Sequence, residues 1–216
     1  LIILALDTTS DQASVAVLRN TRPTVAVSSA RPQELARGVT IWEEVVSTSD
    51  GHSYLLYQMI ESVLLQAAVS VLEVDCFASA RGPGSFTGTR ICLAAAKGLA
   101  EATGKPAYGV SNLRALASFG TAALRNPILD ARRGQIYTAI FNSNLELVAP
   151  EIVTAAELWS VAPEVEQIRT RYPLASAVAL CAELDGPSRW QDPAELDAHY
   201  VRRADSDKMW QDKGAR

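Results

Sequence analysis

Three glycines, Gly82, Gly84 and Gly88, fall within seven residues of the stretch RGPGSFTG, between an apolar run and an alanine-rich one. Such a loop can bring several backbone amides close to one anion, because glycine tolerates approaches and dihedrals that a Cβ forbids. Arg81 before it and Arg90 after it add positive charge. The known reactive loops do not fit. A Walker loop needs Gly-Lys-Ser/Thr, and Gly88 is followed by Thr89 and Arg90. The dinucleotide fingerprint needs glycine three residues after Gly84, where Thr87 stands. A nucleophile elbow needs glycines two residues to either side of Ser85, and those positions are Pro83 and Thr87. What remains is a strand-to-helix turn with two candidate caps, Ser85 and Thr87. Its role is either structural or that of a nucleotide, anion or partner loop made of Asp7, Arg81, Gly82, Gly84, Ser85, Phe86, Thr87 and Gly88.

The other reactive groups are sparse. Histidine occurs only at His52 and His199, so no paired-imidazole metal motif exists. Cys76, Cys92 and Cys181 are odd in number and widely spaced, which suits buried free thiols in a reducing compartment. Asp7 and Asp130 each end an apolar run. Two such carboxylates could share a metal with nucleotide phosphates. The simpler expectation is that each caps its own turn. No catalytic residue and no metal ligand is assigned.

Which elements would position these groups? Leu1–Leu6, a polar turn and Ala13–Leu18 form a hairpin pattern, and Pro23–Ala30 offers a third strand. The stretch after Arg31 is irregular, with a short strand at Val39–Val46. A helix starts near His52, capped by Ser49 or Asp50, and Val74–Ala80 is a strand. The glycine loop feeds a second helix, Thr87–Thr103, which stops at Gly104 with Pro106 beyond. A short strand PAYGV and a helix SNLRALASFG capped by Ser111 follow.

The pattern then restarts. Aligned without a gap, Leu4–Leu18 and Pro127–Phe141 share Leu6/Leu129, Asp7/Asp130, Gln12/Gln135 and Ala16/Ala139. The common form, strand, Asp, polar turn, strand, points to two related lobes. The C-terminal lobe is the less complete of the two: a strand at Leu145–Val153, a helix at Ala155–Val161, a charged stretch near Glu164–Arg171 and a short strand AVALC. It has no counterpart of the glycine loop. Residues 1–110 make the first lobe, 111–200 the second, and 201–216 a mildly basic tail.

Net charge of −4 over 216 residues argues against a free-standing nucleic-acid binder. No run is long enough for a membrane span, and LIILAL is too short for a signal core before Asp7 interrupts it, so a cytoplasmic protein is expected. The two first-lobe helices carry more apolar side chains than one buried stripe needs. In the first, Leu56, Tyr57, Met59, Ile60, Val63, Leu64 and Ala67 make the stripe, with Tyr54, Leu55 and Leu65 outside it. In the second, Arg90 and Lys97 lie on a narrow polar strip among Ala94, Ala95, Gly98 and other small residues. Each large side chain left in water forgoes roughly 1.5–3 kcal/mol, so an excess predicts association.

The segments ILALDTTS, SARGPGSFTGTRICLAAAKGLAEATGKPAYGVSNLRALA and PILDARRGQIYTAIF resemble the TsaB (YeaZ) family, over most of residues 1–141. HYVRRAD at His199–Asp205 resembles the family's closing segment. The resemblance implies an α/β actin/Hsp70-like fold of two ribonuclease-H-like lobes, the second truncated. It implies a non-catalytic subunit in threonylcarbamoyl transfer to the adenosine beside the anticodon of tRNA. The implied partner is TsaD, bound through the helices at Tyr54–Ala68 and Thr87–Ala102, with His52, Leu56, Met59, Ile60, Val63, Leu64, Arg90, Ala94, Ala95, Lys97 and Gly98 at the interface. TsaE joins the pair, tRNA is met only through the complex, and the isolated chain self-associates into a homodimer. No cofactor is tightly bound, and ATP or ADP belongs at a subunit junction. Departures are specific. Active relatives carry Asp-x-Gly where this chain has Asp7-Thr8-Thr9, and the metal-binding His pair of TsaD is absent. Both weigh against the rival possibility, a free-standing actin-fold kinase, ATPase or peptidase.

Overall fold

The computed structural model describes residues 1–21, 38–47, 53–169 and 173–201. The strand expected at Pro23–Ala30, the caps Ser49 and Asp50, His52 and the tail after Val201 lie outside the described residues. The apolar opening run becomes β1 (Ile2–Asp7), paired antiparallel with β2 (Gln12–Asn20), which pairs antiparallel with β3 (Val39–Ser47). Helix α1 (Ser53–Gln66) leads to β4 (Cys76–Ala80), α2 (Phe86–Thr103), β5 (Ala107–Val110) and α3 (Asn112–Ala117). The five strands form one sheet in the order β3-β2-β1-β4-β5, with β4 parallel to β1 and β5 parallel to β4.

The second half repeats the plan. β6 (Leu124–Arg132), β7 (Gln135–Asn142) and β8 (Leu147–Ala155) form an antiparallel meander, and β9 (Val165–Ile168) lies parallel to β6. The order β8-β7-β6-β9 is the first sheet's order with its fifth strand missing. Helix α4 (Ala175–Asp185) follows.

The continuous apolar runs of β1 and β4 follow from burial on both faces. Leu4, Leu6 and Phe77 point to a core shared with α1 and α2. Ile3, Ala5, Cys76, Ala78 and Ala80 point the other way, into a core with α3, α4 and the β7 residues Ala139 and Phe141. That other core therefore fills the space between the two sheets.

Several local expectations are corrected. AVALC is the middle of α4, not a strand. It is buried nearly all round, so neither alternation nor a 3.6-residue stripe marks it. Ala155–Val161 holds only a single 3-10 turn, Ala156–Leu158, where β8 has just ended. The charged stretch hides β9, which buries only Val165 and Ile168. The strand expected at Val39–Val46 is present as β3, one residue longer, and it pairs along the full length of β2. The α2 boundaries hold: Ser85 caps the start, accepting the Gly88 amide, and Gly104 ends it at φ 65°.

Candidate functional site

The glycine loop lies against the turn of the β1–β2 hairpin. The Ser85 amide donates to the Thr9 carbonyl at 2.8 Å, and the Thr8 hydroxyl donates to the Gly88 carbonyl at 2.6 Å. A Cβ on Gly88 would sit 1.8 Å from the Thr8 carbonyl oxygen, and one on Gly84 would sit 2.7 Å from that of Thr9. These two glycines are there to let one piece of backbone touch another. Asn112, at the start of α3, closes the arrangement. It accepts the Gly82 amide at 3.0 Å and donates to Thr9 Oγ1 at 2.6 Å and to the Pro83 carbonyl at 3.1 Å. The amides of Gly82, Ser85, Gly88 and Thr89 all have partners within the chain. The concavity that would receive a phosphate in a reactive loop is filled by Thr8 and Thr9.

Sequence reasoning misses Asn112, whose only signal is its place directly after the Ser111 cap. Ser111 itself makes no side-chain cap hydrogen bond and donates to Glu151 instead.

Asp7 is buried and accepts the Thr9 amide at 2.8 Å and the Thr9 hydroxyl at 2.5 Å. Asp130 is exposed, accepts the Arg132 amide at 2.7 Å and lies 3.7 Å from that guanidinium. Each carboxylate serves its own turn. Among the described residues no group of three or more His, Cys, Asp or Glu side chains could hold a metal ion. The three cysteines are buried. Burial pushes the thiols of Cys76 and Cys92 well up and that of Cys181 to about 11, with nearby carboxylates adding to the rise and Arg114 opposing it at Cys181. A thiol held that high has almost no thiolate at neutral pH.

Ser111, Glu151 and His199 meet between the lobes, in the wrong order for a nucleophile relay. His199 Nε2 lies 2.8 Å from Glu151 Oε2, while the Ser111 hydroxyl donates to the other oxygen of the same carboxylate. A nucleophilic serine needs the imidazole as its partner.

His199 belongs to a C-terminal strap. Gln191 exchanges both backbone hydrogen bonds with Ala107, Leu196 is buried beside α2, and the His199 amide donates to the Arg81 carbonyl at 2.7 Å. Lys97 holds the strap, donating to the carbonyls of Ala194 at 3.2 Å and Leu196 at 2.9 Å.

The expected interface residues divide into two groups. Leu56, Met59, Ile60, Val63 and Leu64 are buried against Leu4, Leu6, Val15, Val17 and Phe77, and Ala95 is buried too. They hold α1 and α2 on the sheet, so Ile60, Val63 and Leu64 are not surface anchors. Lys97 is committed to the strap. Arg90, Ala94 and Gly98 are exposed on α2, and a Cβ on Gly98 would meet nothing within 4 Å. On α1 the outward apolar groups are Leu65, 80% exposed, and Tyr57, 59% exposed. His52 is outside the described residues. The apolar excess is real but smaller than helical winding suggests, because the sheet and strap take most of it. No helix among the described residues is long and apolar enough to cross a membrane.

Comparison with known proteins narrows what this arrangement serves. The model of the family "TsaD: tRNA N6-adenosine threonylcarbamoyltransferase" matches residues 45–180. The chain is 32% identical over 154 residues to the tRNA threonylcarbamoyladenosine biosynthesis protein TsaB of Bacillus subtilis, covering 69% of this chain and 60% of that one. It is 28% identical over 202 residues to an uncharacterized protein of Mycobacterium tuberculosis, covering 89% of this chain and 93% of the other. The matched stretch spans 53% of the length of Escherichia coli TsaB, at 32% identity over 63% of this chain. The solved structure of YeaZ from Pseudomonas aeruginosa superposes with a TM-score of 0.73 at 23% identity, over 92% of this chain and 99% of that one, which shows a shared fold.

Proposed function

This chain belongs to the TsaB (YeaZ) family, with the α/β actin/Hsp70-like fold of that family, and we propose on that premise that it acts in threonylcarbamoyladenosine biosynthesis on tRNA. Its part there is that of a non-catalytic subunit. It binds TsaD through the outer faces of α1 and α2, and it helps hold the transferase in a competent form. TsaE joins the pair, tRNA is reached within the complex, and the isolated chain pairs with itself through the same face. All of this takes place in the cytoplasm. ATP or ADP belongs to the subunit junction, since the chain fills its own glycine loop with Thr8 and Thr9.

One observation carries this reading: α1 leaves Tyr57 and Leu65 exposed, and α2, packed on the same core, leaves Arg90, Ala94 and Gly98 exposed. Small residues such as Ala94 and Gly98 let a partner helix approach closely, and exposed Leu and Tyr supply apolar area at its centre.

The test is co-purification with TsaD. Leu65→Asp combined with Gly98→Trp should weaken the complex at least tenfold while thermal unfolding of the isolated chain stays unchanged, because both positions face solvent. Leu64→Asp is the contrast: Leu64 is 8% exposed, so the change should unfold the chain. A complex that survives the double change unweakened would remove the helical-face reading. Steady ATP turnover by the isolated chain, lost on Asp7→Ala, would replace it with an enzyme.

A further inference from the structure

Phe86, Arg90, Ala94 and Gly98 are exposed on α2 and stand four residues apart, so they follow one another along a single ridge of the helix. The ridge is small at its Ala94–Gly98 end and large at its start. There Phe86 is 56% exposed, and the Arg90 guanidinium lies over its ring, 3.5 Å from the centroid. The C-terminal strap adds a second ring to that end. Tyr200, 53% exposed, places its ring 6.0 Å from that of Phe86, with the planes 33° apart. The strap is fixed just before Tyr200. The His199 amide donates to the Arg81 carbonyl, Lys97 donates to the carbonyls of Ala194 and Leu196, and the His199 ring meets Glu151 of the second lobe at 2.8 Å.

We propose that Phe86, Arg90 and Tyr200 anchor the protein partner, receiving a carboxylate side chain from a partner helix together with the aliphatic side chains beside it. The inference rests on the reading of α1 and α2 as the partner-binding helices, and it extends that face from the helices onto the strap. Charge supports it. Arg90 spends its flat face on the Phe86 ring, and among the described residues no oxygen accepts from its N–H groups. Those groups point out along the guanidinium edge, in the planar fork that a carboxylate fits. Continuity supports it too. The rings end the same ridge that carries Ala94 and Gly98, so a helix seated closely on the small residues runs on to the large ones. Aromatic and arginine side chains contribute most where a partner covers them. Rings held in place beforehand lose little freedom on binding. The strap is thus a brace for α2 and also a part of what the partner touches.

The test is the affinity of the full chain for TsaD, titrated at low and high salt, beside the thermal unfolding of each isolated variant. Tyr200→Ala and Phe86→Ala should each weaken binding about tenfold, and Tyr200→Phe should keep it, because the ring makes the contact. Arg90→Gln should weaken binding and flatten its salt dependence. Unfolding temperatures should hold, since these side chains lie largely in solvent. Unchanged affinity in Tyr200→Ala, or unchanged affinity and salt dependence in Arg90→Gln, overturns the anchor. If Leu65→Asp with Gly98→Trp still breaks the complex in that case, the helical-face reading survives without it. Loss of binding in Tyr200→Ala beside indifference to Leu65→Asp with Gly98→Trp removes the helical-face reading and keeps the anchor. Self-association lost in Tyr200→Ala with the affinity for TsaD unchanged gives the rings to a second copy of this chain and overturns the anchor as well. No complex with TsaD at all overturns both.

Discussion

At the end of β1, Asp7 accepts the amide of Thr9 at 2.8 Å; at the end of β6, Asp130 accepts the amide of Arg132 at 2.7 Å. The two hairpins open with the same Asp turn, in sheets of the same strand order. Around the first, the glycine loop, Thr8, Thr9 and Asn112 close into a buried, hydrogen-bonded knot. Around the second there is solvent, an exposed Asp130 and a turn through Arg133 and Gly134 at positive φ. Of two copies of one unit, one has been sealed and the other left bare. The comparison teaches that a glycine-rich loop need not be a ligand cradle: here its space is taken by the neighbouring turn.

The largest test of this contrast is steric. Gly88→Ala should cost about 3 kcal/mol or more, or prevent folding, because the new methyl meets the Thr8 carbonyl at 1.8 Å and backbone cannot yield as a side chain can. Gly134→Ala, in the second turn at φ 72° with open space around it, should cost only about 1 kcal/mol. Chemical denaturation of both variants measures the pair, and equal costs would break the comparison. Polar groups come next. Thr9→Val strips hydrogen bonds from buried Asp7 and Asn112 and should destabilise by about 1–3 kcal/mol, against about 0.5 kcal/mol or less for Asp130→Ala at the surface. The smallest effect concerns the junction of the lobes. Asp185, ending α4, accepts Tyr108 from β5 and a bidentate pair from Arg114, which also donates to the Leu145 carbonyl at the β7–β8 turn. Burial pushes the Asp185 carboxyl up, and the bonds from Arg114 and Tyr108 outweigh that and hold it below the ordinary carboxylate value. A depressed pKa gives stability that is full above the unfolded value of about 3.9 and is lost as the pH falls through the folded one. Urea midpoints should therefore drop in that acid range, and Asp185→Asn should flatten the slope.

The fold is legible where the chain is buried in simple ways. Leu1–Leu6 and the run before Ala80 read as strands because both faces are covered, and α2 reads well because Ser85 and Gly104 mark its ends. The repeat shows through four identities because the Asp turn needs its Asp. Legibility fails where burial is all-round or slight. Ala177–Cys181 carries no period inside α4, and Val165 and Ile168 alone mark β9. The site is half legible. The glycines announce a close approach without saying to what, and Asn112 is separated by thirty residues from the Gly82 amide that it binds. Helical winding correctly puts Leu64 in the buried stripe of α1 and Leu65 outside it, but it also puts Tyr57 in the stripe, where the structure leaves that ring 59% exposed, at the stripe's edge.

β5 is the outer strand of the first sheet, and an outer strand presents unpaired amides on which another chain can build. Gln191 takes both backbone groups of Ala107 from that row. The single rung thus guards against edge-to-edge growth, and buried Leu196, Lys97 and the His199 amide keep that guard in place from beyond it.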